Sequence, residues 1–170
     1  MSRYKELLEE LEGHARSADG VKSLMEHIAR RLHEQMARYN WVGFYLTDAS
    51  LPRTLVLGPY VGSFAPLEKV PFDSGLCGTA ASTGKTVVVN DVTVDLRYLA
   101  GSAMVKSEIV VPVLVNNAVV AEIDINSYFA NTFLPEDQQF VESCAALVGR
   151  FMEKDALGTK NAGAGQRRVG

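Results

Sequence analysis

Few side chains in this sequence can do chemistry, and most of them fall in three short stretches. Cys77 lies in Gly75-Leu76-Cys77-Gly78, near the start of what reads as a short helix. A helix N-terminus lowers the pKa of a thiol, so the position suits a reactive thiolate, and a small buried packing residue is the bland alternative. Glu122, Asp124 and Asn126 occupy alternate positions, which puts three polar groups on one face of a strand. Trp41 and Tyr45 share a face of another strand. Folded over by neighbouring loops, these faces would make a concave site with an aromatic floor and acidic walls. Such a site suits a small cationic or amine-bearing ligand, through charge pairing and cation–π contact. Left open, the same faces are the solvent side of an antiparallel sheet. The residues alone leave both readings standing. Cys144 falls on an apolar helix stripe and reads as core. His14, His27 and His33 lie on the first two helices, with no partner pattern that would activate a nucleophile.

The elements that must position these groups follow from hydrophobic period. Residues 3–16 read as an amphipathic helix, with Ser2 as N-cap and Tyr4, Leu7, Leu8, Leu11 and Ala15 on its stripe. A second helix runs to about Arg38 on Val21, Met25, Ile28, Leu32 and Met36, with Asp19 available to cap it. The period then changes to two. Residues 41–47 form a strand, and residues 54–57 a short second strand paired with it. Residues 58–75 read as a long connection rich in Gly and Pro, the kind of loop that often serves function. A short helix over 76–83 stops at Gly84, and residues 86–89 make a third strand. Residues 90–107 are irregular, with one helical turn expected around 96–99. Residues 108–115 and 118–126 are the clearest strands, joined through Asn116-Asn117, a pair suited to a type I′ turn. Pro135, Glu136 and Asp137 open the last helix. Helices at the two chain ends and strands between them predict an α+β domain over residues 3–154, its terminal helices together on one face of an antiparallel sheet. Residues 155–170 read as a flexible tail.

Composition bounds the function. The 170 residues are 47% hydrophobic and 22% charged, with a net charge of −3. A general nucleic-acid binder would carry a basic face, so that class is excluded. No apolar run reaches the ~20 residues that cross a bilayer, and the charged start does not read as a signal peptide, so the expected location is cytoplasmic. The two cysteines form neither a zinc pattern nor a CxxC pair, so no metal or cofactor is expected.

Six motifs carry a resemblance. Asn40-Trp41-Val42-Gly43-Phe44-Tyr45-Leu46, Leu57-Gly58-Pro59, Gly75-Leu76-Cys77-Gly78-Thr79-Ala80-Ala81, Asp91-Val92, Ser107-Glu108-Ile109-Val110-Val111-Pro112 and Ile123-Asp124-Ile125-Asn126-Ser127 occur in that order. In order and spacing they resemble the free methionine-(R)-sulfoxide reductases, enzymes of GAF fold, over about residues 4–153. The resemblance implies a central antiparallel sheet, terminal helices on one face, a ligand pocket under loops on the other, and a homodimer formed through the helical face. It implies that Trp41 and Tyr45 pack the side chain of a methionine-like ligand and that Glu108 and Asp124 hold its polar groups. A third family carboxylate is replaced by Asn126. In the family reaction a thiolate attacks the sulfoxide sulfur and a second cysteine resolves the product as a disulfide. Counting 24 residues on from Cys77, where the family carries its attacking cysteine, reaches Gly101. Ten residues before Cys77, where it carries another, stands Leu67.

The expected protein is therefore a non-catalytic GAF domain that binds an amino-acid-like small molecule and acts as a sensor or regulator. The ligand-binding candidates are Trp41, Tyr45, Glu108, Asp124 and Asn126. With no output segment within these residues, it would report through a partner protein or its own oligomeric state. The alternative is an active reductase using Cys77 with an external thiol. A third reading, a dimerisation module with an empty pocket, leaves the retained Trp41, Tyr45, Glu108 and Asp124 without a purpose.

Overall fold

The computed structural model describes the backbone of residues 1–166 and the side chains of residues 1–159. Two helices come first, α1 (Arg3–Ala15) and α2 (Val21–Gln35). Strands β1 (Trp41–Asp48), β2 (Leu51–Gly62) and β3 (Lys69–Pro71) follow, then helix α3 (Gly75–Thr83) and strand β4 (Val87–Val89). The long hairpin β5 (Ser107–Val115) and β6 (Ala118–Ser127) leads into α4 (Pro135–Gln166). All six strands form one antiparallel sheet in the order β3-β2-β1-β6-β5-β4. The three expected central strands are the middle of that sheet.

Period-two alternation divides the core between the two sheet faces. Val42, Phe44, Ile109, Val111, Ile123 and Ile125 point to one face, where Leu7 and Leu11 of α1, Leu24, Ile28 and Leu32 of α2, and Phe140, Cys144 and Val148 of α4 cover them. Trp41, Tyr45 and Val110 point to the other, under α3 and the connections. The first, second and last helices thus share a face, and α3 lies opposite. Tyr4 and Tyr39 both donate to Asp137 Oδ1, at 3.0 and 2.7 Å, while Asp137 Oδ2 accepts from the Leu134 amide. One carboxylate therefore ties α1 and the chain before β1 to the start of α4.

Several boundaries differ from the sequence reading, each for a local reason. Helix α2 ends at Gln35, because Met36 turns extended and the Tyr39 amide bonds back to its carbonyl, delivering Tyr39 to Asp137. Gly20, not Asp19, holds the N-cap position of α2. Strand β2 is far longer than residues 54–57. Its register against β1 shifts between Gly43 and Tyr45, so Gly58-Pro59 sits in a β-bulge opposite Phe44 and does not end the strand. Pro52 falls near the strand start, where a missing N–H is tolerated. The helical turn expected around 96–99 is a single hydrogen-bonded turn, Tyr98 N to Asp95 O, preceded by a 3-10 turn at Val92–Val94 capped by Asp91, which accepts from the Thr93 amide at 3.0 Å. Helix α4 continues through Gln166, into the segment read as a tail, and the rest of that segment lies outside the described residues.

Candidate ligand pocket

The floor of the site is Trp41. Its ring lies flat because two glycines leave room for it. A Cβ at Gly43 would stand 2.3 Å from Trp41 Cη2, and one at Gly62 would stand 2.2 Å from Trp41 Cδ1. Tyr60 and Phe64 stack on the indole with centroids 5.5 and 5.4 Å away. Tyr45, two pleats along β1, donates from its hydroxyl to the Leu67 carbonyl at 2.8 Å and so pins the segment between β2 and β3 over the sheet.

The acidic wall comes from β5 and β6. Register places Trp41 opposite Asn126, Gly43 opposite Asp124 and Tyr45 opposite Glu122, while Glu108 of β5 faces Asn126 from the other side. Glu108, Glu122, Asp124 and Asn126 are all buried, and Glu122 is 0% exposed. Cys77, third residue of α3, drops into the same cluster. One ligand atom each from Cys77, Glu108 and Asp124 lie within 4.8 Å of one another. The Asn126 amide donates to Asp124 Oδ1 at 3.1 Å, giving that carboxylate a neutral partner where an aspartate would repel it. Among the described residues neither oxygen of Glu122 accepts a hydrogen bond, and the Cys77 thiol is the polar group that bears on it most.

Burial pushes the carboxyl groups of Glu108, Glu122 and Asp124 above their ordinary range, and the Glu108–Asp124 proximity raises Glu108 further. Cys77 is shifted the same way. Burial raises its thiol first, and Asp124, Glu122 and Glu108 add like charge. Position near a helix N-terminus does not offset this, so these surroundings favour the thiol over the reactive thiolate that its place on α3 suggested.

Cys77, Glu108 and Asp124 line a cavity of about 50 Å³. Trp41, Tyr45, Glu108, Asp124 and Asn126 all reach it, and so do Leu67 and Gly101. Its roof is residues 63–68 on one side and residues 95–104 on the other, narrower than the two long loops expected, because β2 and β3 take up much of the first. Phe64 and Leu99 also contact the cavity, and sequence reasoning did not single them out. Neither stands in a periodic element, so only the folded chain brings them in. Glu122 was visible as the alternate neighbour of Asp124, a signal that placed it on this face without marking it as part of the site.

An antiparallel six-stranded sheet with α1, α2 and α4 on one face and a roofed aromatic–acidic cavity on the other is the architecture of GAF domains. The family model for the GAF domain matches residues 21–151, and the chain belongs to that family. It is similar to the free methionine-R-sulfoxide reductase of Saccharomyces cerevisiae, 41% identical over 112 residues that span 65% of this chain and 62% of that protein. The free methionine-R-sulfoxide reductase of Escherichia coli is 36% identical over 121 residues, 71% of each chain. Among solved structures, the free methionine-R-sulfoxide reductase of Neisseria meningitidis in complex with its substrate superposes with a TM-score of 0.85 at 30% identity, covering 91% of both chains.

Proposed function

We propose that this GAF domain is a non-catalytic sensor that binds an amine-bearing, amino-acid-like small molecule in the cavity between Trp41 and the Glu108–Asp124 pair. The observation that carries the reading is the buried, acidic surroundings of the one thiol at the cavity. Cys77 is buried beside Asp124, Glu122 and Glu108, and burial first, then their like charge, pushes its thiol well above the ordinary range. A nucleophile needs the opposite arrangement, a thiolate stabilised by positive charge and placed to attack. Gly101, where the roof meets the cavity, offers no side chain. What remains is binding chemistry. Trp41 gives an apolar face, its buried Nε1 donor has no partner among the described residues, and the carboxylates suit an ammonium group.

Entry requires the roof to move. About 50 Å³ holds little more than one water, whose share of liquid volume is about 30 Å³. Residues 95–104 are the segment that opens. Their hydrogen bonds stay within the segment or close to it, as in Tyr98 N to Asp95 O and Met104 N to Ser102 Oγ, while residues 63–68 are held to the sheet through Tyr45. Roof closure over a ligand gives a sensor its two states.

A thermal-shift panel of free amino acids and their sulfoxides tests this, read in parallel by the fluorescence of Trp41, the chain's single tryptophan. The expected result is stabilisation by one amine-bearing ligand, worth about 2.7 kcal/mol at a hundredfold excess over Kd, lost in Asp124→Asn. A panel in which no member shifts melting or fluorescence would refute ligand binding.

A further inference from the structure

The inner end of the cavity holds more negative and soft donor chemistry than an ammonium group requires. The Sγ of Cys77 and one oxygen each of Glu108 and Asp124 lie within 4.8 Å of one another. Beside them Glu122 is 0% exposed, and both its oxygens lack a hydrogen-bond partner among the described residues. A buried carboxylate with no donor leaves a desolvation cost standing unless a proton or a cation relieves it.

No element of this end offers an arginine or lysine. The strand neighbours on the same face are Val110 and Pro112 of β5 and Gly43 and Tyr45 of β1. Pro112, directly opposite Glu122, has no N–H to give. A metal cation at this end comes from solution.

We propose that Cys77, Glu108 and Asp124, supported by the neighbouring Glu122, bind one divalent transition-metal ion of zinc's class. Bonds of about 2.0–2.3 Å put two ligands of one ion at most about 4.6 Å apart, so small side-chain rotations bring the cluster into range. A thiolate among carboxylates selects a borderline-soft ion over magnesium or calcium, which take oxygen alone. Metal binding breaks the Cys77 S–H bond, forms a metal–sulfur bond and releases the proton to solvent, with no change of oxidation state. The donors come from α3, β5 and β6, which is why the spacing of the cysteines shows no metal pattern. An ammonium ligand needs Glu108 and Asp124 as well, so the two occupants exclude one another.

The test uses the whole chain, freed of metal by a chelator, titrated with cobalt(II) chloride and with zinc chloride in competition. Expected are one equivalent of cobalt bound with a thiolate-to-cobalt absorption band, displacement by zinc, and loss of the band in Cys77→Ser but not in Cys144→Ser. Cys144 lies in the opposite core and serves as control. Glu122→Gln should weaken binding by about tenfold or more, the loss typical when a supporting partner of a metal site is removed. Zinc-loaded protein should no longer respond to the amine ligand. Cobalt bound without the band, or no cobalt retained after dialysis, overturns the site, as does unchanged affinity in Glu122→Gln. If cobalt is not retained while the amine panel still succeeds on metal-free protein, the metal site falls and the binding function stands.

Discussion

At the level of single residues, the three buried carboxylates and one thiol decide what the pocket can do. Each carboxyl group has a folded pKa raised by burial above its unfolded value. Such a group contributes fully to stability below about pH 4, and that contribution is lost as pH rises through the folded pKa. Ligand-free protein at neutral pH therefore carries a cost, and Glu122, without a partner, carries its own share. Glu122→Leu should raise the stability of metal-free protein at pH 7 by about 1–3 kcal/mol, with the gain shrinking toward pH 4, as read by melting curves of both proteins across that range. A melting temperature lowered by the substitution at pH 7 would show that Glu122 has a stabilising partner. Sequence legibility was uneven at this scale. The face shared by Asp124 and Asn126 followed from alternation, whereas the thiol-favouring surroundings of Cys77 did not, because its position on α3 suggested activation and only packing against β6 reverses the sign.

Among the elements, β1 and the α1–α2 pair hold the site in place. Gly43 and Gly62 accept the flat Trp41 ring, so Gly43→Ala must push the indole aside. The expected cost is about 1–3 kcal/mol, with a changed Trp41 emission spectrum. An unchanged spectrum with full stability would mean that the ring does not lie there. Behind the sheet, Arg31 of α2 donates to both oxygens of Glu10 of α1, at 2.6 and 2.9 Å, and His14 stacks on His27 with centroids 3.6 Å apart. Burial lowers the His27 pKa, and His14, Arg30 and Arg31 lower it further against the opposing pull of Glu10. A depressed pKa gives a contribution present above about pH 6.5 and lost as pH falls through the folded value. The melting temperature should thus drop from pH 7 toward pH 5 more steeply in the parent than in His27→Gln. Strongly periodic elements such as α1, β5 and β6 were readable from sequence because burial of one face dictates their pattern. Strand β2 was not, because Gly58-Pro59 looks like a terminator unless the bulge opposite Phe44 is known.

For the molecule as a whole, the terminal helices close one face and the roof closes the other, leaving oligomerisation and activity as the remaining questions. Leu7 and Leu11 of α1 are buried in the chain's own core. A homodimer through the helical face would therefore use the half-buried outer edge, with Tyr4 and Leu8, and not the inner stripe. Light scattering at tens of micromolar should give twice the 18.5 kDa chain mass, and a monomer would set that arrangement aside. Activity bears most directly on the proposed function, because similar proteins are named reductases and a GAF scaffold does not by itself confer chemistry. The roof lacks a thiol at Gly101, and a Cβ there meets only the edge of the Phe64 ring at 3.0 Å, a side chain able to shift. Gly101→Cys, and better Gly101→Cys with Asn126→Asp, should therefore gain reduction of free methionine-(R)-sulfoxide. The decisive measurement is turnover of that substrate by the unmodified protein with dithiothreitol as reductant. The predicted result is no turnover above the no-protein rate, whereas robust turnover abolished by Cys77→Ser would contradict the sensor reading and establish an active reductase.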